Sequence, residues 1–145
     1  MWGKRKKATI IYGMSGSGKS SEAMKISRAG AVHIERDIFR FDPEFLDLGN
    51  WKTYSLDQHK EYIVDAYWKY MIMKHSNRDL VISDTLCKKN DRNKVIKLLE
   101  YLGYNVEVIY KCKPLEDCIA DDAERGDFSV GSDVILKQWQ QLNNA

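Results

Sequence analysis

The stretch GMSGSGKS spans residues 13–20 and directly follows the apolar run ATIIY at 8–12. Runs of Gly and Ser ordinarily read as flexible linker. This one ends in Lys19-Ser20 and fits G-x-x-x-x-G-K-[ST] in full, with Gly13 and Gly18 as the two fixed glycines. Each residue type has a physical reason. Glycines let the backbone wrap a phosphate and aim its N–H groups inward. A helix starting at the end of the loop adds its unpaired N–H groups and its dipole to the anion site. The lysine reaches the β- and γ-phosphates, and the serine hydroxyl ligates Mg²⁺. At average composition such a match arises by accident in roughly one of a few hundred chains of this size. The strand-like run before it and the helix-like run after it are the context the motif requires. The loop is read as a seat for the tail of a nucleoside triphosphate.

Outward from the loop, strand-like and helix-like runs alternate. Residues 7–12 read as a buried strand and 19–28 as a helix. AVHI at 31–34 is a short second strand, and 41–55, with Pro43, Gly49 and Asn50, reads as irregular. Ser55 with Gln58 forms a capping-box start, and a long helix follows through Tyr62, Ile63, Ala66, Tyr67, Tyr70 and Met71 at 3–4 spacing. DLVIS at 79–83 is a third strand, 89–101 a helix stopped by Gly103, and 105–111 a fourth strand. Pro114 opens a helix to Arg125, Gly126 ends it, and Ser132 caps a last helix to Leu142. Short apolar strands alternating with helices predict an α/β fold with a parallel sheet covered on both faces.

The chain of 145 residues suits one domain with one core. A net charge of +2 does not announce a nucleic-acid binder, so any basic site must be local. No apolar run approaches the ~20 residues of a membrane span, and the first residues lack a signal-peptide core. Three cysteines, Cys87, Cys112 and Cys118, show no CxxC spacing, so neither a zinc site nor a disulfide framework is expected. Cys112 reads as core. His33, His59 and His75 are scattered and point to no metal.

Three further stretches carry chemistry. In IERDIFR, residues 34–40, Asp37 falls at the C-terminal end of the second strand, the edge where ligands bind in such sheets. A carboxylate there can take a proton from an attacking hydroxyl. Arg40, one turn on, can grip an anionic group. The bland alternative is a solvated salt-bridge cluster of Arg36, Asp37 and Arg40. LVISDT, residues 80–85, is an apolar strand ending in Asp84, which can hold a Mg²⁺-bound water or orient Arg40, or be a plain turn aspartate. DDAERGD, residues 121–127, puts Arg125 before a hinge-like glycine, where it can close over a triphosphate. It is equally a residue favoured by the helix dipole. The stripe Tyr62, Tyr67, Trp68, Tyr70 is read mostly as packing. The run Lys4-Arg5-Lys6-Lys7 is a solvated tip at the far edge of the sheet. Lys88, Lys89 and Arg92 are the better phosphate-tracking patch.

Together these stretches resemble the 5′-kinase domain of bacteriophage-type polynucleotide kinases. GMSGSGKS resembles that family's P-loop, with Ser15 where proline is common. IERDIFR resembles its R-D-x-x-R segment, VISDT its third-strand segment, and AERGDFSVGSDVI its lid and the helix after it. The likeness runs over nearly the whole chain, about residues 6–142, with the order of elements kept. It implies a P-loop NTPase fold with a four-stranded parallel sheet of order 2-3-1-4 and a helical lid at about 114–131, within one domain over 1–145. It implies ATP contacts from Gly13, Ser15, Gly16, Ser17, Gly18, Lys19, Ser20, Ser21 and the lid arginine Arg125. Asp37 would be the general base, aided by Lys19 and Arg125. Arg40, Asp84, Thr85 and Val130 would bind the acceptor, with Mg²⁺ on Ser20 and, through water, Asp84. Two departures stand out: Asp121 replaces the family's second lid arginine, and Leu86 replaces the asparagine common after S-D-T.

The expected activity is direct in-line transfer of the γ-phosphoryl of ATP, or another NTP, to a 5′-hydroxyl end of DNA or RNA. The resemblance places it in the cytoplasm of a bacterial or phage-infected cell, in nucleic-acid repair, without a membrane. One rival is a P-loop kinase for a small alcohol or nucleoside, or for a hydroxymethylated base within DNA. Another is a nucleotide-binding module without catalysis.

Overall fold

A computed structural model describes residues 6–144. Its centre is a four-stranded parallel sheet of order β2-β3-β1-β4, formed by β1 (Lys7–Tyr12), β2 (Val32–Ile34), β3 (Leu80–Ser83) and β4 (Asn105–Tyr110). Ile10 stands opposite Ile82 on one side and Val108 on the other, and Ile34 also faces Ile82. The two central strands are apolar almost throughout because both faces are covered. On one face Ala8, Ile10, Ile34, Leu80 and Ile82 pack under α3 (Gln58–Lys74) and α4 (Lys89–Tyr101), joined by Phe39 from α2 (Arg36–Phe41). On the other, Ile11 and Val81 meet Ala23 of α1 (Lys19–Arg28). A third cluster ties the loop after β1 to α5 (Leu115–Ala123) and α6 (Ser132–Asn143) through Met14, Cys118 and Ile135. Period-two alternation along β1 thus splits its side chains between the two layers.

Several local expectations are corrected. The cap of α3 is Asp57, whose side chain accepts from the Lys60 N–H at 2.9 Å, rather than Ser55. The reason lies upstream: the Tyr54 ring is buried among aromatics and its hydroxyl accepts from the Asp57 N–H at 3.2 Å, which keeps the helix from starting earlier. The buried row of α3 is Val64, Trp68 and Ile72, flanked by Tyr67 and Met71. Tyr62 and Tyr70 face solvent at 74% and 58% exposure, so only part of the tyrosine stripe is packing. Helix α5 stops at Ala123, and a 3-10 turn, Gly126–Phe128, follows. Pro114 and Gly131 are the cap residues before α5 and α6, so Ser132 is the first residue of its helix and not its cap. Cys112 is exposed, because β4 ends at Tyr110. Of the basic run, Lys7 opens β1 and pairs with Glu107, whereas Lys4 and Arg5 lie outside the described residues. Among the described residues no helix is long and apolar enough to cross a membrane.

Candidate active site

The loop between β1 and α1 is pinched from two sides. A Cβ on Gly13 would stand 2.6 Å from the Lys111 carbonyl oxygen. A Cβ on Gly16, at φ +80°, would stand 2.4 Å from the Cys118 carbonyl oxygen in α5. Only glycine fits these positions. Gly18, also at positive φ, is the cap of α1 and delivers Lys19 and Ser20 at the first turn, with Ser21 exposed beside them. Gln138 of α6 clamps Ser15: its Oε1 accepts from the Ser15 N–H at 2.8 Å and its Nε2 donates to Ser15 Oγ at 3.1 Å. Lys19 is buried, and its Nζ donates to the Met14 carbonyl at 3.1 Å. Burial lowers the lysine's pKa, and the Glu35 carboxylate works against that shift. Ser17 Oγ is buried with no hydrogen-bond partner among the described residues. An orphaned hydroxyl in a glycine-walled loop at a helix start fits a phosphate oxygen.

The strand ends bring the carboxylates to this loop. Glu35, just after β2, accepts from Ser20 Oγ at 2.6 Å and from Ser83 Oγ at 2.9 Å. Ser83 Oγ is in turn 2.6 Å from His33 Nε2. Burial pushes the Glu35 carboxyl up, opposed first by the Ser20 hydrogen bond. Asp84 does not orient Arg40. Its Oδ1 accepts from the Arg36 N–H at 2.9 Å, and its Oδ2 from Arg36 Nη1 at 3.0 Å and Trp68 Nε1 at 3.1 Å. Arg36 starts α2, so its backbone and side chain reach Asp84 together, whereas Arg40 is a full turn away. The Thr85 carbonyl accepts from the Gly13 N–H at 3.1 Å and so ties β3 to the loop. Arg92 is committed to structure: Nη1 donates to the Leu86 and Cys87 carbonyls at 2.9 and 3.0 Å, and the guanidinium lies over Tyr12. Of the proposed phosphate-tracking patch, only Lys88 lines the cleft. Cys87, buried beside Lys19, has its thiol pushed up to about 11 by burial.

Asp37 and Arg40 meet one turn apart, Oδ1 to Nη1 at 2.7 Å. Glu61 of α3, not singled out in the sequence, grips the other side of the guanidinium at 3.0 Å from Nε and 2.6 Å from Nη2. Tyr54 Oη donates to Glu61 at 2.7 Å. Burial opposes the Arg40 charge, yet Glu61 and Asp37 raise its pKa above the ordinary value. Burial would raise Glu61, but the Arg40 and Tyr54 hydrogen bonds hold it below the usual carboxylate range.

The segment after α5 hangs on Asp122. This carboxylate, 2% exposed, accepts from Ser129 Oγ at 2.6 Å and from the N–H groups of Val130 and Gly131 at 3.2 Å each. Arg125 Nη1 lies 3.6 Å from its Oδ1. Asp121 pairs with Lys113. The 3-10 turn reaches the opposite wall, where Phe128 packs edge-on to Phe41 at 5.8 Å and Asp127 lies 3.6 Å from Lys52. A cleft of about 1170 Å³ runs between these walls, lined among others by Lys19, Ser20, Asp37, Arg40, Arg125 and Val130. Asp84, Thr85 and Ser15 also open onto it. The arrangement can hold a polyanion at one end and place a carboxylate beside a hydroxyl at the other.

A family model described as an AAA domain matches residues 9–145. No curated protein matches the chain. Among solved structures, the chain is similar to one from the Pnkp1/Rnl/Hen1 RNA repair complex, with 21% identity and a TM-score of 0.78 over 97% of this chain and 45% of that one. It is similar to a gluconokinase from Sinorhizobium meliloti 1021, with 19% identity and a TM-score of 0.63 over 98% of this chain and 78% of that one. It is also similar to the Mycobacterium tuberculosis APS kinase CysC, solved with AMPPNP and APS, with 23% identity and a TM-score of 0.58 over 83% and 70% of the two chains. The chain therefore spans less than half the length of the RNA repair chain. At these identities the likeness is one of fold, a P-loop kinase-like sheet with its covering helices.

Proposed function

We propose that this chain, which belongs to the AAA-domain family, is a P-loop kinase that moves the γ-phosphoryl of ATP onto a 5′-hydroxyl of DNA or RNA. The observation that carries the reading is the Asp37–Arg40 pair, at 2.7 Å, in the same cleft as Lys19. It sets a proton acceptor beside a group suited to the phosphate on the 3′ side of the acceptor sugar. The fold shared with a chain of an RNA repair complex supports the acceptor class. Residues 1–145 act as one kinase domain with the lid at about 114–131, in the cytoplasm of a bacterial or phage-infected cell.

The loop residues Gly13, Ser15, Gly16, Ser17 and Gly18 cradle the triphosphate, with Lys19 neutralising its β and γ oxygens. Ser21 lies on the same turn of α1. Ser20, a hard oxygen donor at the mouth of the loop, would hold Mg²⁺. Mg²⁺ held there would supply charge neutralisation on the phosphate oxygens. Asp37 accepts the proton of the acceptor hydroxyl as that oxygen bonds to the γ-phosphorus. The bond from the γ-phosphorus to the bridging oxygen breaks, and ADP carries away the electron pair. Arg125, held over the cleft by Asp122, stabilises charge in flight. Asp84, Thr85 and Val130 shape the acceptor side.

Glu61 favours a second reading. A guanidinium already held by two carboxylates grips a further phosphate less readily, which suits a small neutral alcohol or nucleoside. A panel of acceptors with labelled ATP separates the two. Transfer to a 5′-hydroxyl oligonucleotide and to a nucleoside 3′-monophosphate is expected. Transfer only to small alcohols, or to an oligonucleotide with a blocked 5′ end, overturns the proposal. Nucleotide binding without any transfer would leave a non-catalytic module.

A further inference from the structure

We propose that Glu35, at the end of β2, supplies the carboxylate side of the divalent-cation seat beside Ser20, in place of Asp84 at the end of β3. The inference rests on the P-loop reading above. Ser20 Oγ donates to Glu35 Oε1 at 2.6 Å, so the serine proton points at the carboxylate and its lone pairs are left for a cation. Both donors to Glu35, Ser20 and Ser83, use Oε1, and Oε2 accepts no hydrogen bond among the described residues. Both donors are neutral hydroxyls, which leave the carboxylate's charge uncancelled. The groups that can offset it are the Lys19 ammonium, which the P-loop reading commits to the triphosphate, and the His33 imidazole behind Ser83.

Asp84 is in the opposite condition. Both of its oxygens are taken, by the Arg36 N–H, the Arg36 guanidinium and the Trp68 indole, at 2.9 to 3.1 Å. A cation placed against it would also face the Arg36 charge. A hard divalent cation in a nucleotide site takes one or two carboxylates together with phosphate oxygens and water. Glu35 meets that need, and its orientation is set from behind. Ser83 Oγ bridges it to His33 Nε2, at 2.9 and 2.6 Å, in the way second-layer hydrogen bonds aim metal-binding groups. His33 of β2, Glu35 just after it, Ser83 of β3 and Ser20 of α1 thus converge on one edge of the loop.

The test is the gain in affinity for a non-hydrolysable ATP analogue on adding Mn²⁺ to metal-depleted protein, with bound Mn²⁺ counted by electron paramagnetic resonance. Gln at position 35 keeps the size and still accepts from Ser20 and Ser83. Glu35→Gln is expected to cut the Mn²⁺-dependent gain by about 10–100-fold, while affinity in EDTA stays within about threefold. Glu35→Asp should recover part of the gain. Asp84→Asn should keep it. A full gain in Glu35→Gln, or an equal loss in Asp84→Asn with an unchanged melting temperature, overturns the assignment. Failure of the P-loop reading looks different: the wild-type protein would then not bind the analogue at all, with or without Mn²⁺.

Discussion

Replacing Glu61 by Gln separates the two uses that Arg40 can serve. In the wild-type protein the Arg40 side chain is only 14% exposed, and Glu61 holds its guanidinium through contacts of 3.0 and 2.6 Å. A phosphate approaching Arg40 must share or displace those contacts. Gln keeps the shape and one neutral acceptor but removes the charge. A hydrogen bond to a charged group is worth roughly 1.5–3 kcal/mol against about 1 for a neutral pair, so the competition weakens by about 1–2 kcal/mol. That is roughly five- to thirtyfold in kcat/KM. Glu61→Gln should therefore raise kcat/KM for a nucleoside 3′-monophosphate by about tenfold and leave the unphosphorylated nucleoside unchanged. Arg40→Ala should do the reverse, slowing only the phosphorylated acceptor. Steady-state kinetics on this pair of acceptors, with three proteins, read the effect. If Glu61→Gln slows both acceptors alike, Glu61 serves to aim Arg40 and Asp37, and the phosphate-clamp reasoning fails. The same contact has a pH signature. Glu61 is held below its ordinary value in the folded state, so its contribution is fully present above pH ~4.5 and fades as pH falls through the lower folded value. Wild type and Glu61→Gln should differ in melting temperature at pH 7 and converge in acid. A constant gap across that range would show that the carboxylate charge is not what stabilises.

Asp37→Asn keeps the shape but cannot take the proton, and should lower kcat by about 10²–10⁴ with little change in ATP affinity measured by calorimetry; a loss confined to ATP binding would count against the general-base role. Arg125→Ala should lower kcat more than it weakens acceptor binding, as its proposed role on the moving phosphoryl group requires; an equal loss in both would count against that role. Asp121→Arg breaks the pair with Lys113 and should lower the KM for ATP; an unchanged or higher KM would show that position 121 faces away from the nucleotide. Gly16→Ala sets a methyl 2.4 Å from the Cys118 carbonyl at a φ of +80° and should cost about 1–3 kcal/mol, read as a lowered melting temperature; an unchanged value would mean that α5 shifts freely from the loop.

Local signals carried much of the fold. A buried parallel strand needs an unbroken apolar run, a phosphate loop needs glycines at set spacing, and these needs are written in consecutive residues such as 8–20. The same holds for Asp37 and Arg40, one turn apart in the chain and in contact in space. What the folded structure decided were the partners. Glu61 lies 21 residues from Arg40, Glu35 lies 48 from Ser83, and Gln138 lies 123 from Ser15. Periodicity says that a helix exists and which face is apolar, but a polar side chain on that helix gives no sign of what stands opposite. Asp84 shows the limit most clearly. Its place at a strand end marks it as chemical, but whether it serves a metal or an arginine depends on Trp68 arriving from α3 and Arg36 from α2. A carboxylate buried at such an edge is defined by the nearest donors, and only packing of the helices onto the sheet brings those donors within hydrogen-bond reach.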